Sequence, residues 1–151
     1  MSYVFHVEYK GPIGPDLMRR LNLEPGGKVQ LAIDNEVIRW SELYAPFDTG
    51  TLAHSPYANR PPQGGQVIYR TPYARYLWHG KVMGPNIPVF EDDSGVPTRF
   101  FSRKGEKKHL TGKDLKFRTD KNPDAGPFWT LRMKAHHMKD ILEVAKRHVG
   151  I

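Results

Sequence analysis

Two segments with apolar side chains at helical spacing bracket this chain, and most of what lies between them is punctuated by proline and glycine. From Lys28 to Tyr44, the residues Val29, Ala32, Ile33, Val37, Trp40 and Tyr44 recur at three and four. That spacing puts them on one stripe of an amphipathic helix. From Pro127 to His148, Trp129, Met133, His137, Ile141, Val144 and His148 repeat the pattern, with Pro127 near the first helical position. A helix with a single apolar stripe must bury it against another layer. The expected fold class is therefore α+β: a small mixed, mainly antiparallel β-sheet packed against two main α-helices, with a long loop or hairpin insertion over 82–125.

Shorter elements fill the rest. Tyr3, Phe5, Val7 and Tyr9 alternate as in a half-buried strand that ends at Gly11-Pro12, and Leu17 to Leu21 has room for a turn or two of helix before Pro25-Gly26-Gly27. Pro46 stops the first long helix. Phe47 to Leu52 then turns the chain into an extended piece containing Ala53, His54 and Ser55. Past the loop Pro61–Gly65, Gln66 to Tyr69 has strand composition, and the two pieces are expected to pair as a hairpin. Pro72 to Gly80 is dense in aromatics and reads as a short helical turn with Gly80 just beyond its end. Between Val82 and Ala125 only Thr98–Phe101 and Leu115–Phe117 look like strands.

At 151 residues, the chain has material for one core and is read as a single domain, 1–151. The absence of cysteine removes disulfides, thiolate nucleophiles and Cys-based zinc sites, and fits folding in a reducing cytoplasm. The N-terminus meets Glu8 and Lys10 too soon for a signal peptide, and no stretch is long and apolar enough to span a membrane. A net charge of +7 points to acidic partners, nucleic acid among them.

Catalytic constellations are missing from the sequence. Asp48-Thr49-Gly50 matches the turn of aspartic proteases, where two aspartates share a proton, but only one copy exists and it follows a helix and Pro46 rather than an apolar strand. A plain turn, with Asp48 and Thr49 bonding local backbone, is the competing reading. The seven histidines form no His-Glu-x-x-His pair, and His136 and His137, adjacent on a helix, project about 100° apart, at the edge of the packed face rather than around one ion. No P-loop, dinucleotide fingerprint or nucleophile elbow occurs. No catalytic, metal-binding or cofactor-binding residues are assigned, and no enzymatic activity or cofactor is expected.

The segment from Arg103 to Lys121 holds eight cations (Arg103, Lys104, Lys107, Lys108, Lys113, Lys116, Arg118, Lys121) against three acids. With Phe100, Phe101 and Phe117 beside them, they could neutralise phosphates while the rings stack on bases. A solvated loop, or one that docks on an acidic neighbouring subunit, is the alternative.

Three blocks together carry a resemblance: Pro46-Phe47-Asp48-Thr49-Gly50-Thr51-Leu52, the run Val67 to Gly80, and Asn122-Pro123-Asp124-Ala125-Gly126-Pro127-Phe128-Trp129. In this order the chain resembles the minor capsid, or tail-completion, proteins of tailed bacteriophages, a group similar to the head–tail joining proteins. The resemblance implies a structural virion protein that assembles as a ring, hexameric in such proteins, in the neck between head and tail. It also implies contacts with neighbouring neck, head-completion or tail-tube proteins and contact with packaged DNA. Trp40, Tyr73, Tyr76, Trp78, Phe128 and Trp129 would then be core or interface anchors. The long 82–125 segment departs from shorter relatives. A nucleic-acid-binding module using 103–121 is the alternative function, and a small hydrolase built on Asp48 is a third.

Overall fold

A computed structural model describes residues 2–4 and 14–149. In chain order the elements are β1 (Ser2–Val4), α1 (Pro15–Arg20), α2 (Lys28–Glu42), α3 (Thr51–Ala58), β2 (Gln66–Ile68), α4 (Ala74–His79), β3 (Lys81–Gly84), β4 (Ile87–Val89), β5 (Arg99–Phe101), β6 (His109–Asp114) and α5 (Trp129–His148). The fold is a small mixed α+β one. Its described strands pair antiparallel as three two-stranded ladders, β1–β2, β3–β6 and β4–β5. Of the alternating run Tyr3–Tyr9, only Tyr3 and Val4 fall among the described residues.

The two long helices form where the apolar spacing predicts them, and their stripes face each other. Val29, Ile33, Val37 and Ile38 of α2 join Trp129, Met133, Ile141 and Ala145 of α5 in one buried cluster, closed by Leu52, Val67, Tyr69 and Ala74. Each large side chain removed from water here contributes roughly 1.5–3 kcal/mol. A carboxylate also lies inside: Asp34 is 2% exposed and accepts from Gln30 Nε2 at 2.9 Å and from the Gly65 amide at 2.8 Å. Those two donors offset its loss of water and tie α2 to the turn that feeds β2.

The end of α2 is closed from far along the chain. Asn122, itself buried, donates through Nδ2 to the carbonyls of Glu42 and Ala45 at 2.9 and 2.8 Å, and the Gly126 amide reaches the Tyr44 carbonyl at 3.1 Å. A helix end leaves such carbonyls without intrahelical donors, and the segment leading into α5 supplies them.

The extended piece expected at Ala53–Ser55 is instead the helix α3, so no hairpin forms with Gln66–Tyr69; β2 pairs with β1, Tyr3 opposite Val67. Gly50, at φ +86°, reverses the chain into α3. Leu52, Ala53 and Pro56 then bury one face. Pro56 has no N–H to give the Leu52 carbonyl, and the Ser55 hydroxyl donates to that carbonyl at 2.9 Å instead. The local bond explains how an eight-residue helix tolerates an internal proline.

The 82–125 segment folds as a two-tier hairpin arm. β3 pairs with β6, Gly84 opposite His109, and beyond a cis Gly84–Pro85 peptide β4 pairs with β5, Pro88 opposite Phe100. Of the expected strand Thr98–Phe101, Arg99–Phe101 forms one. Leu115–Phe117 is not: β6 ends at Asp114, opposite Lys81, where its partner strand begins, and only the Leu115 amide, bonded to the Gly80 carbonyl at 2.9 Å, continues the ladder.

Candidate assembly and nucleic-acid surfaces

An open cleft of about 480 Å³ brings the first two sequence blocks against the end of the basic segment. Pro46 to Leu52 form one wall, Tyr73 and Leu77 the second, and Lys116, Phe117 and Arg118 the third. Asp48 accepts from Arg118 Nη1 at 2.9 Å, and Lys121 Nζ donates to the Asp48 carbonyl at 2.7 Å while lying over the Phe47 ring. Arg118 also grips Asp120, which raises its own pKa and holds the Asp120 carboxyl below the usual carboxylate range. Thr49 makes the local bond expected of a turn, accepting from the Thr51 amide at 3.5 Å, but the Asp48 side chain reaches across to the basic segment rather than to local backbone.

The eight cations therefore divide. Lys116, Arg118 and Lys121 fold back beside the 46–52 turn. Lys113 stands exposed on β6. Arg103, Lys104, Lys107 and Lys108 occupy the exposed turn between β5 and β6, and among the described residues no acid lies within ion-pair distance of them; Lys108 bonds the Asn86 amide oxygen at 2.9 Å. These four stand exposed, whereas Arg118 and Lys121 bond to the Asp48 turn.

The aromatic candidates also separate. Trp129 is fully buried, its ring 5.5 Å from that of Tyr69 at a steep angle. Trp78 is half-buried, donates through Nε1 to Thr130 Oγ1 at 3.1 Å and meets Phe128 edge-on with centroids 4.8 Å apart. The Phe128 amide bonds the Trp78 carbonyl at 2.9 Å, and Pro127 lies where a Cβ on Gly80 would be 2.7 Å away, so the third block locks onto the second. Tyr76 and Trp40 are half-buried. Tyr73 and Phe128 are each 40% exposed.

His136 and His137, though projecting differently from α5, both reach the Tyr44 hydroxyl, at 3.3 Å from Nδ1 and 3.1 Å from Nε2. His137 also stacks on Trp40 with centroids 3.9 Å apart, and its Nδ1 lies 3.0 Å from Asp140 Oδ2. One arrangement of neutral imidazoles satisfies all three bonds. His137 gives its Nδ1 proton to Asp140, Tyr44 donates to Nε2, and the Tyr44 oxygen accepts from His136. The network rivets α2 to α5 at the edge of the core. Among the described residues no group of three or more His, Cys, Asp or Glu side chains is placed to hold a metal ion, and no helix is long and apolar enough to cross a membrane.

The sequence did not announce the acidic tip of the arm, Glu91-Asp92-Asp93, all exposed. Its signal is three consecutive acids, one hairpin away from the basic turn.

No family model, curated protein or solved structure matches the chain.

Proposed function

We propose that this protein is a structural, non-enzymatic subunit of a tailed-bacteriophage virion. It would be a neck component, for tail completion or head–tail joining, that assembles as a ring between head and tail. The resemblance of the three sequence blocks supplies the setting, and their packing together around the cleft and the Trp78–Phe128 contact is consistent with it. The observation that carries an assembling role is the arm. Strands β4 and β5 pack chiefly on each other, and the aromatic residues in and beside this ladder, Phe90, Phe100 and Phe101, are 53%, 60% and 48% exposed. A two-stranded hairpin is marginal in water by itself, and bare aromatics of this kind are what subunit contacts cover.

The deciding experiment is light scattering of the purified protein across salt concentrations, with localisation in disrupted virions by labelled imaging. A closed oligomer found at the neck supports the reading. A monomer at all concentrations that is absent from virions overturns it.

Nucleic-acid binding is the second reading, favoured by the four cations of the 103–108 turn. Phosphate contacts would make such binding fall steeply with salt.

A further inference from the structure

The arm carries two opposite poles that it cannot satisfy by itself. Its tip holds Glu91, Asp92 and Asp93, and among the described residues only Glu91 lies near a cation, Arg99 at 3.4 Å. Its basic turn holds Arg103, Lys104, Lys107 and Lys108 against Glu106. The two poles sit at opposite ends of β5, held apart by roughly 10 Å of strand. From Pro85 to Lys108 there are five cations and four acids, so the segment is nearly neutral overall and is polarised rather than charged. Near-neutrality suits a phosphate backbone poorly, because the acidic tip would be repelled wherever the turn is attracted. A second copy of the same arm is complementary at both poles. Phe100 and Phe101 are consecutive and so project from opposite faces of the ladder, and both strands of that ladder have an open edge.

We propose that the arm docks against the arm of a second copy of this chain. The acidic tip 91–93 of one copy seats on the basic turn 103–108 of the next, covering Phe90 and the aromatic ladder. This rests on the self-assembling reading above and names the surface that performs it. Each copy gives one tip and receives one, which is the head-to-tail contact that a ring requires.

Charge reversal tests the pairing. One variant carries Glu91→Lys and Asp93→Lys, sparing Asp92, whose carboxylate accepts from the Ser94 amide and hydroxyl and holds the tip in shape. The other carries Lys104→Glu and Lys107→Glu, sparing Lys108 and its bond to Asn86. All four positions are exposed, so circular dichroism and melting temperature should match the parent. Each variant alone should self-associate about 100-fold more weakly at low salt, because like charges then face each other across the contact. An equimolar mixture of the two should recover assembly close to that of the parent, since each variant's tip now opposes the other's turn. Assembly of both single variants at parental strength overturns the arm-to-arm contact while leaving the ring reading intact on another surface. A parent that stays monomeric at every salt concentration overturns the arm-to-arm contact, and its absence from virions as well overturns the neck reading. Loss of DNA binding in the Lys104/Lys107 variant with unchanged self-association assigns the turn to nucleic acid and overturns the proposal.

Discussion

Single positions in the core combine backbone and charge demands that leave little room for substitution. Gly64 has φ +65°, and a Cβ placed there would lie 2.7 Å from Asp34 Oδ2. Gly64→Ala must therefore strain the backbone and displace a buried carboxylate from its partners, and a loss of about 2–4 kcal/mol is expected in urea unfolding. A loss below about 0.5 kcal/mol would show that the turn can rearrange freely. Tyr69 offers a test by pH. Burial pushes its phenol up to about 12, with hydrogen bonding to Ser41 and Trp129 pulling the other way. The folded pKa lies above the unfolded value, so the folded state holds the proton more tightly. Stability from this group is whole below about pH 10 and falls as pH rises toward the folded value, by about 1.4 kcal/mol per unit. Tyr69→Phe lacks this proton. Its unfolding free energy, measured from about pH 9 to pH 11.5, should decline less steeply than the parent's, and parallel curves would refute the assignment.

At the scale of elements, long-range closure matters as much as local propensity. Asn122 stands eighty residues from Glu42, yet its amide supplies both carbonyls at the end of α2. Asn122→Ala should cost about 1–3 kcal/mol in denaturant unfolding, because two buried acceptors lose their donor. An Asp at the same site, unable to donate from its carboxylate, should do no better. The same contrast explains what was legible in the sequence. The stripes of α2 and α5 could be read because their period persists over four turns or more, and Gly80 marked the end of α4 because a left-handed position favours glycine. α3 could not, since eight residues with an internal proline show no clear period and Ser55 repairs the missing bond only in three dimensions. The candidate surface was legible by half. Eight cations stand out in composition, but nothing local separates the four in the β5–β6 turn and Lys113 on β6 from Lys116, Arg118 and Lys121, which fold back beside the Asp48 turn. His136 and His137 converge on Tyr44 only because α2 and α5 pack side by side.

For the whole molecule, the body and the arm's outer tier depend on each other very little, and that independence is testable. The body holds the buried cluster of α2, α5, α3 and β2, while β4 and β5 pack chiefly on each other. The joint between them is the β3–β6 ladder, where Met83 is 8% exposed and the Thr111 hydroxyl bonds the Val82 carbonyl at 2.8 Å. Gly84 faces His109 across that ladder, so the chain can be closed there by a short Asn-Gly turn in place of residues 85–108. Hydrophobic stabilisation follows the apolar area buried within one chain, and the excised tier buries little of it. The shortened protein should therefore unfold cooperatively with a melting temperature within about 3 °C of the parent, since in a chain of this size a shift of about 2–4 °C corresponds to about 1 kcal/mol. Its urea m-value should fall slightly, because less surface is exposed on unfolding. Self-association should disappear in the same preparation. A shortened chain that melts well below the parent would mean that the outer tier supports the core, whereas an unchanged melt with assembly lost would separate a self-sufficient body from an arm whose surfaces are completed only by another molecule.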